Sequence, residues 1–265
     1  MKKEVELIKK VKRLLKRLGM PRWLHHFGPK TYEFYEHFYI LLIKYYSKLS
    51  YRRVAKIMNL LGIKCPSKSA LQYTAKKLNA VFWDKVLKLT CGDSYIIALD
   101  STGLCRTNPS YHYLKRIDGK TPKIPIKLSV ALDTKKKKFS AARIRVLPAH
   151  DGKDARKLLE LSNPKIGVAD KAYSIEKLYR YAESNGIILM IPKKKNVKKG
   201  YARNKMHKLF RKRTYNRRQL VEAGFSSYKR KYGSSVSSKT ARTIRTEVYG
   251  RLACHNILGK QFLDF

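Results

Sequence analysis

The stretch Tyr95-Ile96-Ile97-Ala98-Leu99-Asp100-Ser101-Thr102-Gly103 places an acidic residue directly after five hydrophobic ones. A short hydrophobic run that ends in polar residues and glycine is typical of a buried strand. A carboxylate at the end of such a strand is costly to desolvate unless a cation binds it. The same pattern recurs at Ile166-Gly167-Val168-Ala169-Asp170, so two acids are predicted at the tips of buried strands.

The elements around these two strands predict the fold. Further strands are predicted at 126–132, 139–147 and 187–191, and helices at 151–162, 174–185 and 212–233. The order of three strands, helix, strand, helix, strand, helix is typical of a ribonuclease-H-like α/β domain, in which parallel crossovers follow an antiparallel meander. We therefore expect a mixed five-stranded sheet with flanking helices over residues 93–265.

The preceding region, residues 1–92, is predicted to be all-helical. Ser50 and Ser67 are candidate N-caps of two short helices joined by a turn that contains Gly62. The hydrophobic spacing predicts inner stripes of Val54, Ile57, Met58 and Leu61 on the first helix and of Leu71, Thr74, Ala75 and Leu78 on the second. Such a pair is typical of a helix-turn-helix, although an ordinary helical hairpin has the same pattern. The outer face of its second helix carries the candidate DNA-contacting residues Ser69, Gln72, Tyr73 and Lys76.

The charge of the chain indicates a polyanionic partner. Its 265 residues contain 61 Lys and Arg against 18 Asp and Glu, a formal net charge of +43. A hydrophobic content of 43% excludes a disordered basic tail. Nucleic acid is the partner that such an excess of positive charge favours.

Other features of the composition indicate a cytoplasmic protein with no membrane partner. No hydrophobic run approaches the ~18 residues that a membrane-spanning helix needs, and the basic start lacks the apolar block of a secretory signal. The cysteines are scattered without a CxxC pair, as expected for a reducing compartment: Cys65, Cys91, Cys105 and Cys254.

Glu222 is the only acid between residues 185 and 245, a segment otherwise rich in Lys and Arg. At about 100° per residue, one arc of about 60° on the predicted helix contains Tyr215, Arg218, Glu222 and Lys229. The apolar flank of that arc, expected to pack on the sheet, contains Val221, Phe225 and Tyr228. Glu222 can therefore face the two strand tips, where three carboxylates would form an oxygen-ligand site for a divalent metal. A glutamate that merely pairs with neighbouring cations is the alternative.

The remaining acids near the strands are predicted to be structural. Asp151 and Asp154 open a predicted helix, where acidic residues favour the helix dipole. Asp133 ends a strand at the far side of a hairpin, and His150 is expected to be a structural residue between strand and helix.

Three sequence blocks resemble those of DDE-type insertion-sequence transposases. Asp100-Ser101-Thr102-Gly103 is similar to the first catalytic block of that family, and Ala169-Asp170-Lys171-Ala172-Tyr173 is similar to the second. The third block reproduces the family's Y-x2-R-x3-E-x6-K signature with Tyr215, Arg218, Glu222 and Lys229.

The resemblance implies metal-dependent cleavage and transfer of DNA strands. Asp100, Asp170 and Glu222 would be the catalytic residues and would hold two Mg²⁺ or Mn²⁺ ions. Tyr215, Arg218 and Lys229 would contact DNA. The helical region would read terminal inverted repeats in double-stranded DNA, at the nucleoid. Pairing of two transposon ends implies a homodimer in the synaptic complex.

Two other functions have the same sequence features. A different ribonuclease-H-like nuclease would keep the three acids without needing the Tyr–Arg–Lys strip or a DNA-reading helix. A non-catalytic DNA-binding derivative of a transposase would bind terminal repeats without cutting them.

Overall fold

The computed structural model describes residues 2–24, 30–106, 125–147, 149–194 and 199–258, with side chains described from residue 6 onward. By its packing the chain divides into two compact units. Residues Met1–Thr90 and Thr240–Phe265 form one unit, which is helical in its described part, and Cys91–Lys239 forms the other, which contains the sheet. This division differs from the predicted one at residue 93, because the last helix belongs to the first unit.

The secondary structure alternates helices and strands only in the sheet-containing unit. The helices are α1 (Lys2–Arg17), α2 (Phe34–Tyr46), α3 (Tyr51–Leu60), α4 (Lys68–Lys77), α5 (Ala80–Cys91), α6 (Gly152–Ser162), α7 (Glu176–Ser184), α8 (Tyr201–Lys208), α9 (Lys212–Tyr215), α10 (Gln219–Tyr232) and α11 (Ala241–Leu258). The strands are β1 (Ile96–Arg106), β2 (Ile126–Asp133), β3 (Phe139–Arg145), β4 (Ile166–Ala169), β5 (Ile188–Met190) and β6 (Ser235–Val236). Two short 3₁₀ turns cover Lys171–Tyr173 and Asn216–Arg218.

The sheet has the order β3-β2-β1-β4-β5, with β6 paired to β1. Strands β1, β2 and β3 are antiparallel, whereas β4 is parallel to both β1 and β5. This confirms the ribonuclease-H-like mixed sheet with flanking helices. The sixth strand was not predicted, because its two residues carry no periodic signal.

Strand β1 is longer than the sequence predicts. It continues past Asp100 to Arg106, because β2 pairs with it as far as Leu104 and β6 pairs with its last two residues. Asp100 therefore lies within β1, next to the point where the shorter parallel strand β4 ends at Ala169.

Helices cover both faces of the sheet. On one face, α10 packs on β1 and β2. Its Gly224 lies so close to Leu132 that an added Cβ would approach Cδ1 to 3.1 Å. On the other face, α6 packs against β1, β2 and β3, and the hydrophobic cluster there includes Leu158, Leu159 and Tyr179.

The predicted long helix at 212–233 is interrupted. A 3₁₀ turn at Asn216–Arg218 separates α9 from α10. The predicted apolar flank is nevertheless confirmed, since Val221, Phe225 and Tyr228 are all buried. Helix α8, which was not predicted in this lysine-rich part of the sequence, is stabilised at its start by Glu176. The Glu176 carboxylate accepts hydrogen bonds from backbone N–H groups of the first turn.

The two short helices of the helical unit, α3 and α4, begin at the predicted caps. Ser50 Oγ accepts from the Arg53 N–H and Ser67 Oγ accepts from the Ala70 N–H, both at 3.2 Å. The inner stripe of α4 is confirmed by the burial of Leu71, Thr74, Ala75 and Leu78.

On α3 the predicted stripe is only half right. Val54 and Met58 are buried, whereas Ile57 and Leu61 are 38% and 64% exposed. The reason is that α3 ends at Leu60, so Leu61 lies in the following turn, and α3 packs along a narrow stripe.

The last helix, α11, is embedded in the helical unit by its aromatic contacts. Tyr249 stacks on Trp83 with ring centroids 6.5 Å apart, and its hydroxyl donates to Asp84 at 3.0 Å. At Gly250 the helix lies against the ring of Tyr45, so close that an added Cβ would come within 2.3 Å of Cδ2.

This close approach predicts the effect of Gly250→Ala. Alanine normally stabilises a helix interior by ~1 kcal/mol relative to glycine. Here the methyl group would overlap the buried Tyr45 ring, and such overpacking costs about 1–3 kcal/mol. We expect a lower melting temperature by calorimetry. An unchanged or higher melting temperature would contradict the described packing of α11.

Candidate active site

Asp100 and Asp170 follow a pair of neighbouring residues in two parallel strands. Leu99 of β1 is in register with Ala169 of β4, and each aspartate is the next residue. The backbones of the two acids therefore lie next to each other where β4 ends. Asp170 is exposed, and its Oδ1 accepts from the Lys171 N–H at 2.6 Å, which starts the 3₁₀ turn.

The side chain of Asp100 lies on the sheet face covered by α10. Asp100 is opposite Val130 in the antiparallel register, and Val130 shares its face with Leu132, the residue that Gly224 contacts. Alternate residues of a strand lie on one face of a sheet, so Asp100 is directed toward α10. Glu222 lies in the first turn of that helix.

Arg218 connects the two carboxylates. Its Nη1 is 2.6 Å from Glu222 Oε1 and 3.9 Å from Asp100 Oδ2. The side chains of Arg218 and Asp100 are each 23% exposed, whereas that of Glu222 is 52% exposed. Since both carboxylates contact the same guanidinium nitrogen, Asp100 and Glu222 share one face of the sheet.

The ionised form of Asp100 is disfavoured in this environment. Burial raises the pKa of Asp100 above its ordinary value, against the opposing effects of the Ser101 N–H and Arg218, and Glu222 and Asp151 add to the increase. The guanidinium of Arg218 is 3.9 Å from Asp100 Oδ2, so a cation bound closer to this carboxylate would stabilise its charged form more.

The other signature residues lie on the segments flanking Arg218 and Glu222. Tyr215 ends α9 half-buried, with its ring 5.5 Å from that of Phe210 between centroids. Lys229 lies half-buried in the last turn of α10. The signature therefore spans α9, the 3₁₀ turn and α10 rather than the single predicted helix.

The three carboxylates have the ligand chemistry of a divalent metal site, but they are not close enough together to coordinate one ion. Carboxylate oxygens are the ligands that Mg²⁺ and Mn²⁺ prefer, and Asp100, Asp170 and Glu222 supply only oxygen. Within the described residues, however, no group of three or more His, Cys, Asp or Glu is gathered closely enough to hold an ion. Arg218 lies between two of the three acids instead.

Sequence reasoning missed the role of Asp151. As an acid at the start of α6 it was predicted to interact favourably with the helix dipole, yet its carboxylate makes no cap hydrogen bond. It accepts from Ser101 Oγ at 2.7 Å and pairs with Lys127. No local pattern could have indicated this, because Ser101 and Lys127 are brought to Asp151 only by the sheet.

The candidate DNA-reading residues lie on α4. All four are exposed: Ser69, Gln72, Tyr73 and Lys76.

None of the helices in the described part of the chain is long and apolar enough to cross a lipid bilayer.

Comparison with known proteins assigns the family. Residues 92–257 match the family described as Transposase DDE domain, and the chain belongs to that family. It is thus a transposase of the DDE type.

Among solved structures, the chain is similar to a piggyBac transposase determined by cryo-EM as a synaptic complex with hairpin DNA. The identity is 11%, the TM-score is 0.47, and the similarity covers 95% of this chain and 71% of that chain. No curated protein sequence matches the chain significantly.

The environment of Asp100 predicts a stabilising substitution. Because its pKa is raised in the folded protein, its ionised carboxylate destabilises the fold above that pKa, and the penalty disappears as the pH falls through it. In metal-free buffer we expect Asp100→Asn to raise the melting temperature at neutral pH but not at acidic pH.

Glu160→Gln is the matched control. The exposed Glu160 pairs with Lys157, which lowers its pKa, so its neutralisation should give no stabilisation at neutral pH. A melting temperature of Asp100→Asn at or below that of the wild type at neutral pH would contradict the described environment of Asp100.

Proposed function

We propose that the protein binds the terminal inverted repeats of an insertion sequence and catalyses metal-dependent cleavage and transfer of its DNA strands. The observation that carries this proposal is the placement of three acids. Asp100 and Asp170 follow paired residues of β1 and β4, and Glu222 lies on α10, the helix toward which Asp100 is directed. Membership of the DDE family supports the same assignment.

The three acids are the proposed catalytic and metal-binding residues. Two Mg²⁺ or Mn²⁺ ions held by Asp100, Asp170 and Glu222 would supply an activated water or 3′-hydroxyl nucleophile and stabilise the leaving oxygen in an in-line displacement. The protein's own part is to place the acids at ordered elements: Asp100 lies within β1, Asp170 directly follows β4, and Glu222 lies on the helix that packs on β1 and β2.

Arg218 is proposed to have a double role. In the metal-free protein its guanidinium offsets the charges of Asp100 and Glu222. A guanidinium also binds phosphate in a bidentate manner, so the same side chain is suited to a phosphate of the transposon end. Tyr215 and Lys229 lie on the flanking segments and are proposed to position the DNA backbone rather than to react.

The charge of the chain supports double-stranded DNA as the partner. With 61 cationic residues and 18 acidic ones, most cations have no acidic residue available to them. Phosphates of DNA would offset this excess and release bound counterions. We propose that Ser69, Gln72, Tyr73 and Lys76 of α4 read the terminal repeats, that two copies pair the ends as a homodimer, and that the protein acts at the nucleoid.

A second candidate is a non-catalytic DNA-binding derivative. It is favoured by one observation, the position of Arg218 between Asp100 and Glu222, where it already supplies a positive charge. The two candidates differ in whether metal is bound and strands are cut, and not in whether DNA is bound.

A cleavage assay distinguishes them. Purified protein is incubated with Mg²⁺ or Mn²⁺ and DNA that ends in the matched terminal repeats. We expect the wild type to cut and join strands, and Asp100→Ala, Asp170→Ala and Glu222→Ala each to abolish the reaction while DNA binding in a mobility-shift assay is retained. Gln72→Ala is expected instead to weaken binding of the terminal repeats by about 1–3 kcal/mol, the typical cost of losing a base contact.

Glu160→Ala serves as the control for loss of one negative charge, since Glu160 lies exposed on α6 and pairs only locally with Lys157. Repeat-specific binding without any cutting by the wild type would favour the non-catalytic derivative. Cutting that is indifferent to the repeats would favour another ribonuclease-H-like nuclease.

A further inference from the structure

Two carboxylates at the start of α6 accept hydrogen bonds from serines of the sheet. Only one of these two serine–carboxylate pairs lies beside the proposed active site. The first carboxylate is Asp151, whose Oδ1 accepts from Ser101 Oγ at 2.7 Å and pairs with Lys127. The Lys127 ammonium also donates to the carbonyl of Ala149 at 2.5 Å, and the side chain is only 15% exposed. These contacts hold the ammonium next to the Asp151 carboxylate.

The second carboxylate, Asp154, forms a matching arrangement further from the site. Its Oδ2 accepts from Ser129 Oγ at 3.0 Å, and its Oδ1 accepts from Arg145 Nε at 2.8 Å. Ser129 is the cross-strand partner of Ser101. The molecule therefore contains two serine–carboxylate–cation clusters on neighbouring strands, which differ in what lies next to the serine.

Ser101 is the residue that contacts both Asp151 and Asp100. Its hydroxyl donates to Asp151 on the α6 face of the sheet, and its backbone N–H donates to Asp100 Oδ1 at 2.8 Å. Hydrogen bonds to an ionised carboxylate are stronger than neutral ones and fix its orientation. Strand pairing already holds the Ser101 backbone, and the hydroxyl bond to Asp151 adds a second restraint on the residue whose N–H orients Asp100.

We propose that Ser101, held by Asp151 and Lys127, is a positioning residue that orients the Asp100 carboxylate toward a divalent metal ion. This inference rests on the proposed function, in which Asp100 is a metal ligand. Groups that orient a metal ligand through a hydrogen bond typically contribute 10- to 100-fold to metal affinity.

The environment of Asp151 favours its ionised form, whereas that of Asp100 disfavours it. Burial acts to raise the pKa of Asp151, but the hydrogen bonds from Lys127 and Ser101 outweigh it and hold the pKa below its ordinary value. Asp151 therefore remains an ionised acceptor for Ser101 at neutral pH, independently of any metal.

The pair of clusters provides a matched test. Mn²⁺ alone is titrated into DNA-free full-length protein, and bound Mn²⁺ is measured by electron paramagnetic resonance. We expect Ser101→Ala to weaken Mn²⁺ binding about tenfold, and Ser129→Ala, which removes the equivalent hydroxyl beside Asp154, to leave it within about twofold. Both variants lose one hydrogen bond to α6, so a comparable fall in melting temperature is expected for each.

A double-variant cycle tests the route through Asp151. Asp151→Ala is expected to weaken Mn²⁺ binding as much as Ser101→Ala, and the double variant no more than either, because both act through one hydrogen bond. The proposal is overturned if Ser101→Ala binds Mn²⁺ like the wild type, or if Ser129→Ala weakens binding equally. Should Asp151→Ala fail to fold, the comparison of the two serine variants still decides.

Asp100→Ala separates this inference from the proposed function. If that variant loses Mn²⁺ binding while Ser101→Ala does not, only the positioning role is wrong. If Asp100→Ala binds Mn²⁺ like the wild type, or if the wild type binds none, the proposed metal site is wrong and the positioning role is wrong with it.

Discussion

A partly buried negative charge on Asp100 is the constraint on which the rest of the site depends. Pairing of β1 with β2 and β4 fixes the backbone there, so the carboxylate has little freedom to move into water. Burial raises its pKa, and the structure offers it the Ser101 N–H and a guanidinium 3.9 Å away. An acid held in this way is a binding site for a stronger cation.

The interruption between α9 and α10 follows from the same requirement. The 3₁₀ turn at Asn216–Arg218 contacts β1 and β4, which brings Arg218 to the strand ends. Glu222 then lies one helical turn further on and pairs with Arg218 at i,i+4. Burial of Val221 and Phe225 against the sheet holds this arrangement, so packing on one side of α10 positions charge on the other.

Much of this could be predicted from sequence because it depends on local patterns. Hydrophobic runs that end in an acid indicate strands with Asp100 and Asp170 side by side, and helical spacing indicates that Arg218 and Glu222 share a face. The serine caps of α3 and α4 are likewise local signals.

The features that could not be predicted depend on tertiary contacts. The extension of β1 to Arg106 requires β6 as a partner, and the assignment of α11 to the helical unit requires Tyr45 and Trp83. Ile57 was expected to be buried from its spacing, but it is 38% exposed. Asp151 and Ser101 are separated by 50 positions in the sequence, and only the folded sheet brings them within hydrogen-bond distance.

The most direct test of the metal site is X-ray diffraction at the manganese absorption edge from crystals grown with Mn²⁺. The account predicts anomalous density within bonding distance of the carboxylates of Asp100, Asp170 and Glu222, with the Arg218 guanidinium displaced from between Asp100 and Glu222. Anomalous density elsewhere, with Arg218 still paired to both acids in crystals that contain Mn²⁺, would contradict it.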